Sequence, residues 1–305
     1  MASEIRVEQA LVIATQKMDD AGIYCGHGTD NTWDEACLLL LHALGLERAD
    51  ESILQQQLSL ESRQTFEALI AERINKRVPA AYLIGEAEFA GLRFMVDERV
   101  LVPRSPFAEL ILKEFSPWVS RKPSRILDLC TGSGCIGIAS AMAFPEAQVM
   151  LSDLSMDALD IAKQNIIRHG LTERCQAIQS DIFSELKGQR FDLIVSNPPY
   201  VDKQDINDMP EEYHQEPAMG LAAGNDGLDI VRPLLNQAAE HLNKGGYLMA
   251  EVGNSWVALE AAYPQVPFTW VEFEYGGHGV FILTKNELVQ YQKNFHLGLN
   301  VYDKE

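Results

Sequence analysis

The chain has 305 residues, 47% of them hydrophobic and 23% charged, and carries a formal net charge of −19. That length suits about two domains, and the charge argues against a grip on duplex nucleic acid, which rests on neutralising phosphates with a basic face. No apolar run approaches the ~20 residues of a membrane span, the first residues lack the apolar core and cleavage site of a signal peptide, and Cys25, Cys37, Cys130, Cys135 and Cys175 fit neither a disulfide framework nor a zinc site. A cytoplasmic protein without membrane contact or resident metal is expected.

Residues 1–87 read as a helical domain. Apolar positions recur at three and four from Ala10 to Met18 and from Trp33 to Leu46, and a third helix runs from about Glu61 to Arg77, closed by Pro79. Asn31 or Thr32 is placed to cap the second helix, with Glu35 reaching back as in a capping box. The Gly26–Asn31 loop before it, with His27, reads equally as a surface turn or a partner-binding loop. Residues 88–105 change period. Phe89, Leu92, Phe94, Val96, Val100 and Val102 alternate, with a break at Asp97-Glu98, and predict a β-hairpin linker. It ends in Val102-Pro103-Arg104-Ser105-Pro106, a turn stiffened by proline.

Residues 106–305 alternate strands and helices, the signature of a doubly wound α/β sheet. Seven mostly parallel strands are expected at 125–129, 148–152, 175–179, 191–196, 246–252, 268–273 and 279–284. Helices are expected near 135–143, 156–168, 228–242 and 255–262. One connection stands apart: from Asp202 to Asp229 there are eight acids (Asp202, Asp205, Asp208, Glu211, Glu212, Glu216, Asp226, Asp229) and one lysine, Lys203. It reads as a negative docking field for a basic protein, or as a solvated loop.

The chemistry gathers at the carboxyl ends of the strands, where open α/β sheets place ligands. Asp128-Leu129-Cys130-Thr131-Gly132-Ser133-Gly134 is a strand followed by a glycine-rich turn that lets a ligand approach the backbone. With Gly137 it satisfies G-x-G-x-x-G, so a nicotinamide enzyme is a rival reading. Asp153 ends the next strand, where a carboxylate can accept both hydroxyls of a ribose. Asp181 ends the third, where one can accept from an adenine amino group. The fourth strand, Phe191–Ser196, runs into Asn197-Pro198-Pro199-Tyr200. Two prolines stiffen this loop, while the Asn197 amide and the proline carbonyls offer acceptors. Tyr200 adds a flat ring, so the set can hold a planar NH2 group. A pyrophosphate would avoid so many carboxylates. The whole set therefore favours S-adenosylmethionine (SAM), with product S-adenosylhomocysteine.

In this order the motifs resemble those of the SAM-dependent protein glutamine N5-methyltransferases (HemK/PrmC/PrmB). Of the two branches, the chain is closer to the one acting on large-subunit ribosomal protein L-three than to the one acting on release factors. The resemblance rests on Tyr24 to Ala36, on Val100 to Leu110 with Pro103-Arg104-Ser105-Pro106, and on Gly276-Gly277-His278-Gly279-Val280-Phe281. It implies a Rossmann-like methyltransferase fold, a substrate-recognising helical domain and a basic ribosomal protein as partner. Thr131, Gly132, Ser133, Gly134, Asp128, Asp153, Asp181 and Asn197 would hold the cofactor. Ile182 would lie beside adenine, where the release-factor branch often has an aromatic. Arg104 and Glu109 would line the mouth of the substrate slot. The implied reaction is an in-line displacement: the glutamine nitrogen attacks the methyl group while Asn197 and the Pro198 carbonyl hold its N–H bonds. Such positioning can supply roughly 7–11 kcal/mol. A release-factor enzyme, or an adenine-N6 methyltransferase using the same pocket on a flipped base, are the alternatives.

Overall fold

A computed structural model describes residues 5–300 of the chain. Three helices open it: α1 (Val7–Asp20), α2 (Thr32–Ala43) and α3 (Leu60–Lys76). They pack through the positions that the three-and-four spacing brings to one side, with Leu11, Met18, Leu39, Leu40, Phe66 and Ile70 at the centre. Asn31 caps α2, accepting from the Asp34 N–H at 2.9 Å. Glu35 does not close a capping box; it is buried and paired with Arg73. Beyond Pro79 the chain makes one further short helix, α4 (Ala80–Ile84), ended by Gly85 in a left-handed conformation.

The hairpin β1 (Glu86–Phe89) and β2 (Leu92–Met95) turns at Ala90-Gly91, both with positive φ, as a tight two-residue hairpin requires. The break at Asp97-Glu98 is instead a separate turn after the hairpin, where Asp97 binds the Arg99 side chain. The far end of the hairpin is pinned: Asn165 bonds both backbone groups of Met95 and the carbonyl of Ser133 in the glycine-rich turn.

Helix α5 (Phe107–Leu112) leads into the sheet, formed by β3 (Arg125–Leu129), β4 (Gln148–Asp153), β5 (Cys175–Gln179), β6 (Phe191–Ser196), β7 (Leu242–Glu251), β8 (Thr269–Trp270) and β9 (Val280–Thr284). Their order is β5-β4-β3-β6-β7-β9-β8, parallel as far as β7, with β9 running antiparallel between β7 and β8. This is the expected seven-stranded, mostly parallel sheet. The central strands are mostly apolar because both faces are covered, with Asp128 in β3 and Asp192 in β6 among their charged residues. Leu193 and Val195 face a core shared with α6 (Cys135–Ala143) and α5, while Ile194 faces one shared with α9 (Val231–His241). Helix α7 (Met156–Arg168) closes the first face between β4 and β5. Register sets Leu129 level with Ser152 on one side and Ser196 on the other, so the loops leaving β3, β4 and β6 open at one height.

Candidate active site

Those loops line a cavity of about 690 Å³. Its floor is the turn after β3. Asp128 lies buried beneath that turn, where one carboxylate oxygen accepts from the Thr131 hydroxyl and, at 2.8 Å, from the Gly137 N–H. A Cβ at residue 137 would stand 2.9 Å from that oxygen, which is why glycine sits there. Burial pushes the Asp128 carboxyl up to about 7. Asp128 and Gly134 thus shape the turn without lining the cavity, whereas Thr131, Gly132 and Ser133 do line it. Gly132 has φ +54°, and no atom lies within 4 Å of where its Cβ would stand; the backbone there is open to a ligand.

Asp153, at the end of β4, accepts from the Gly132 N–H and from the Ser155 N–H, each at 2.9 Å. Burial raises its pKa. Both oxygens keep lone pairs for further donors. The buried hydroxyls of Ser133 and Ser152 also line this end and have no hydrogen-bond partner among the described residues. After β5, Asp181 is exposed and Ile182 takes φ +49°, its carbonyl held by the Ser180 hydroxyl at 2.9 Å; both line the cavity. A glycine cradle, a carboxylate near it and unpaired hydroxyls fit a polar ligand with an amino-acid tail and a ribose.

Asn197-Pro198-Pro199-Tyr200 also lines the cavity. Among the described residues neither the Asn197 side-chain amide nor the Pro198 carbonyl makes a hydrogen bond. Tyr200 is anchored: its hydroxyl donates to Glu251 Oε1 at 2.9 Å, and its carbonyl accepts from the Ser255 hydroxyl at 2.7 Å. Burial and the neighbouring Glu251 carboxylate keep the phenol protonated far above its usual range.

At the mouth, Arg104 lines the cavity, with its guanidinium forked onto Glu216 through two bonds of 2.6 Å and set over the Tyr213 ring at 5.2 Å. Glu216 also accepts from the Val102 N–H at 2.9 Å, and His27 Nε2 lies 3.5 Å away. Burial alone would raise the Glu216 carboxyl; the His27 ring and the Arg104 fork outweigh it and hold it at about 2. His27 is therefore neither a surface residue nor free: it is buried and packs on Tyr213 at 4.6 Å. Glu109 stands away from the cavity. Its carboxylate accepts from the N–H groups of Glu274 and Tyr275 and from Lys113, so it supports that turn and does not line the mouth.

The acidic connection is only partly an open field. Glu212 is buried between Arg73 (3.2 Å) and Arg77 (3.3 Å) and accepts from the Tyr24 N–H. Glu211 faces Arg77, Asp202 caps the helix α8 (Lys203–Asp208), and Asp226 and Asp229 pair with Arg232. Asp205 and Asp208 remain exposed. Glu216, Glu212 and Glu251 are the residues that sequence reasoning missed as site builders. Only the position of Glu251, at the carboxyl end of a core strand, could have flagged it.

Two family descriptions match: Methyltransferase small domain over residues 108–213 and PrmC N-terminal domain over residues 9–85. The ribosomal protein uL3 glutamine methyltransferase of Francisella tularensis is 47% identical over 92% of this chain and 90% of its own. The enzyme of the same name from Neisseria gonorrhoeae is 44% identical, covering 93% and 95%. The chain belongs to the uL3 glutamine methyltransferase family. Among solved structures, the hMettl16 catalytic domain in complex with an RNA hairpin aligns with TM-score 0.51 at 14% identity, over 82% of this chain and 89% of that one, a likeness of fold. Within the family frame, the Tyr24–Ala36 segment acquires a structural meaning: its Tyr24 backbone, His27 and Glu35 build the charged seam that holds the strap from Glu211 to Glu216.

Proposed function

We propose that this cavity binds SAM and that the enzyme methylates the side-chain nitrogen of a glutamine in ribosomal protein uL3, the large-subunit protein L-three. The observation that carries the reading is the Asn197 amide and Pro198 carbonyl, unpaired among the described residues and held beside an anchored Tyr200 in the cavity that the glycine cradle also lines. Bound there, SAM supplies a sulfonium-activated methyl group. Asp153 would accept from its ribose, the Thr131–Ser133 turn would receive its amino-acid tail, and Asp181 and Ile182 would flank adenine. Asn197 Oδ1 and the Pro198 carbonyl accept the two N–H bonds of the glutamine amide. This orients a nitrogen whose lone pair is otherwise delocalised and lends it electron density; positioning is the main catalytic contribution. The methylated amide cation then loses a proton readily, so no histidine base is required. A basic ribosomal protein suits a strongly acidic enzyme. A cytoplasmic location goes with that substrate; among the described residues no helix is long and apolar enough to cross a membrane.

The test uses labelled SAM with separated ribosomal proteins, release factors and RNA, and mass spectrometry of the labelled product. Label in a uL3 glutamine is expected. Asn197→Ala should bind SAM as the wild type does and lose most transfer, because the amide loses its orienting acceptor. Label in a release factor or in adenine, or wild-type turnover by Asn197→Ala, would overturn the reading.

A further inference from the structure

The Asn197–Tyr200 loop and the Pro103–Pro106 loop come from distant parts of the chain and both line the cavity. One buried side chain joins them. Glu251, the last residue of β7, accepts from the Ser105 hydroxyl through Oε2 at 2.6 Å and from the Tyr200 hydroxyl through Oε1 at 2.9 Å. It is 5% exposed and itself borders the cavity. Ser105 is fixed in turn, since its oxygen accepts from the Phe107 N–H at the start of α5. Because Ala250 is level with Ser196 in the sheet, the turn after β6 passes directly over the end of β7, where Glu251 lies.

Two glycines approach Tyr200 closely. A Cβ at residue 253 would stand 2.4 Å from the Tyr200 ring, and one at residue 227 would stand 2.3 Å from its carbonyl oxygen. The ring packs against Gly253, and its far end is held by the bond from its hydroxyl to Glu251. A phenol need not be hydrogen-bonded to act as a flat wall. An arrangement that holds it by a buried carboxylate, at the desolvation such a group entails, is one in which the placement of the ring matters.

We infer that Glu251 is the positioning residue of this site: its carboxylate bridges Tyr200 and Ser105, fixing where the far end of the Tyr200 ring stands and the width of the slot into which the glutamine amide slides. Glu251 acts through Tyr200 and takes no proton from the substrate. The inference rests on the reading of the cavity as the place of methyl transfer. A wild-type enzyme that labels no glutamine would sink that reading, whereas an active wild type with indifferent Tyr200 and Glu251 variants would sink this inference alone.

The experiment is steady-state kinetics on uL3 with SAM calorimetry and thermal melting for Tyr200→Phe, Glu251→Ala, their double variant and Glu251→Gln. Tyr200→Phe removes one oxygen and keeps the ring, so it preserves the fold. It should lower kcat about tenfold, the size expected for one hydrogen bond to a charged group, with KM and Kd for SAM within twofold of the wild type. The double variant should be no slower than the slower single one, because the two residues act as a unit. Glu251→Gln should recover most of the rate, since its amide oxygen accepts from Tyr200 while its NH2 donates to Ser105. A wild-type kcat in Tyr200→Phe, losses that multiply in the double variant, or a Glu251→Gln no better than Glu251→Ala would each overturn the assignment. So would losses of kcat that appear only alongside matching losses of SAM affinity and melting temperature.

Discussion

Replacing Glu216 by Gln isolates the charge that holds the strap to the cavity mouth. The carboxylate is buried, takes the Arg104 fork, accepts from the Val102 N–H and faces His27. Folding takes its pKa from the usual 4.5 down to about 2. At about 1.4 kcal/mol per unit, the lowered pKa corresponds to about 3 kcal/mol of stability, in line with the cost of breaking a buried ion pair on one side. The sign follows from the direction. A depressed pKa means that the contribution is complete above pH 4.5 and is lost as the pH falls through about 2. Urea denaturation at pH 7 should show Glu216→Gln less stable by about 3 kcal/mol. Between pH 5 and 3 the wild type should lose stability more steeply than the variant, so the two curves converge. Activity should fall as well, because Arg104 and the Val102 backbone lose their anchor at the mouth. Equal stability at pH 7, or parallel curves across the acid range, would refute the reasoning.

Three further outcomes are expected. Asp153→Ala should weaken SAM binding by about 1.5–3 kcal/mol in calorimetry, the loss of a charged acceptor; unchanged affinity would remove Asp153 from the ribose. Asp205→Asn with Asp208→Asn should lower kcat/KM for uL3 several-fold at low salt and flatten its salt dependence, because these two carboxylates are exposed, Asp205 beside the cavity; an unchanged salt slope would leave the segment without a steering role. Gly253→Ala forces a Cβ to within 2.4 Å of the Tyr200 ring from a residue at φ +43°, so melting temperature and kcat should both drop, with about 1–3 kcal/mol lost to overpacking; a wild-type melt would mean that the loop yields.

What could be read in the sequence was whatever is written locally. The strand Phe191–Ser196 is a largely apolar run closed by two prolines just beyond it, and Asp153 is the last residue of its strand, so both fall where the sheet register puts them. The turn at Ala90-Gly91 escaped because alanine carries no turn signal, while Asp97-Glu98 looked like the break and is a separate turn. Helix α4 is a five-residue turn between Pro79 and Gly85, too short to show a period. Glu109 was expected at the mouth from the resemblance carried by Val100 to Leu110, yet on α5 its carboxylate meets the Glu274–Tyr275 backbone. The charged partners were hidden by distance along the chain. Glu251 meets Ser105 across 146 positions, Glu216 meets Arg104 across 112, and Glu212 meets Arg73 across 139. Acidic residues in a polar stretch read as solvated until a fold brings a guanidinium to them.

The seam between the first three helices and the strap is built from charge. Arg73 and Arg77 hold Glu212, and His27 faces Glu216. An apolar seam has little directional preference and tolerates slippage. A guanidinium on a carboxylate works only in one alignment, and because desolvation offsets much of its attraction, it contributes registration more than cohesion. The two parts of the molecule therefore behave like the fixed jaws of a caliper. On the proposed function, a substrate that touches both is gauged at one spacing, and its glutamine comes level with Asn197 only where that spacing is met.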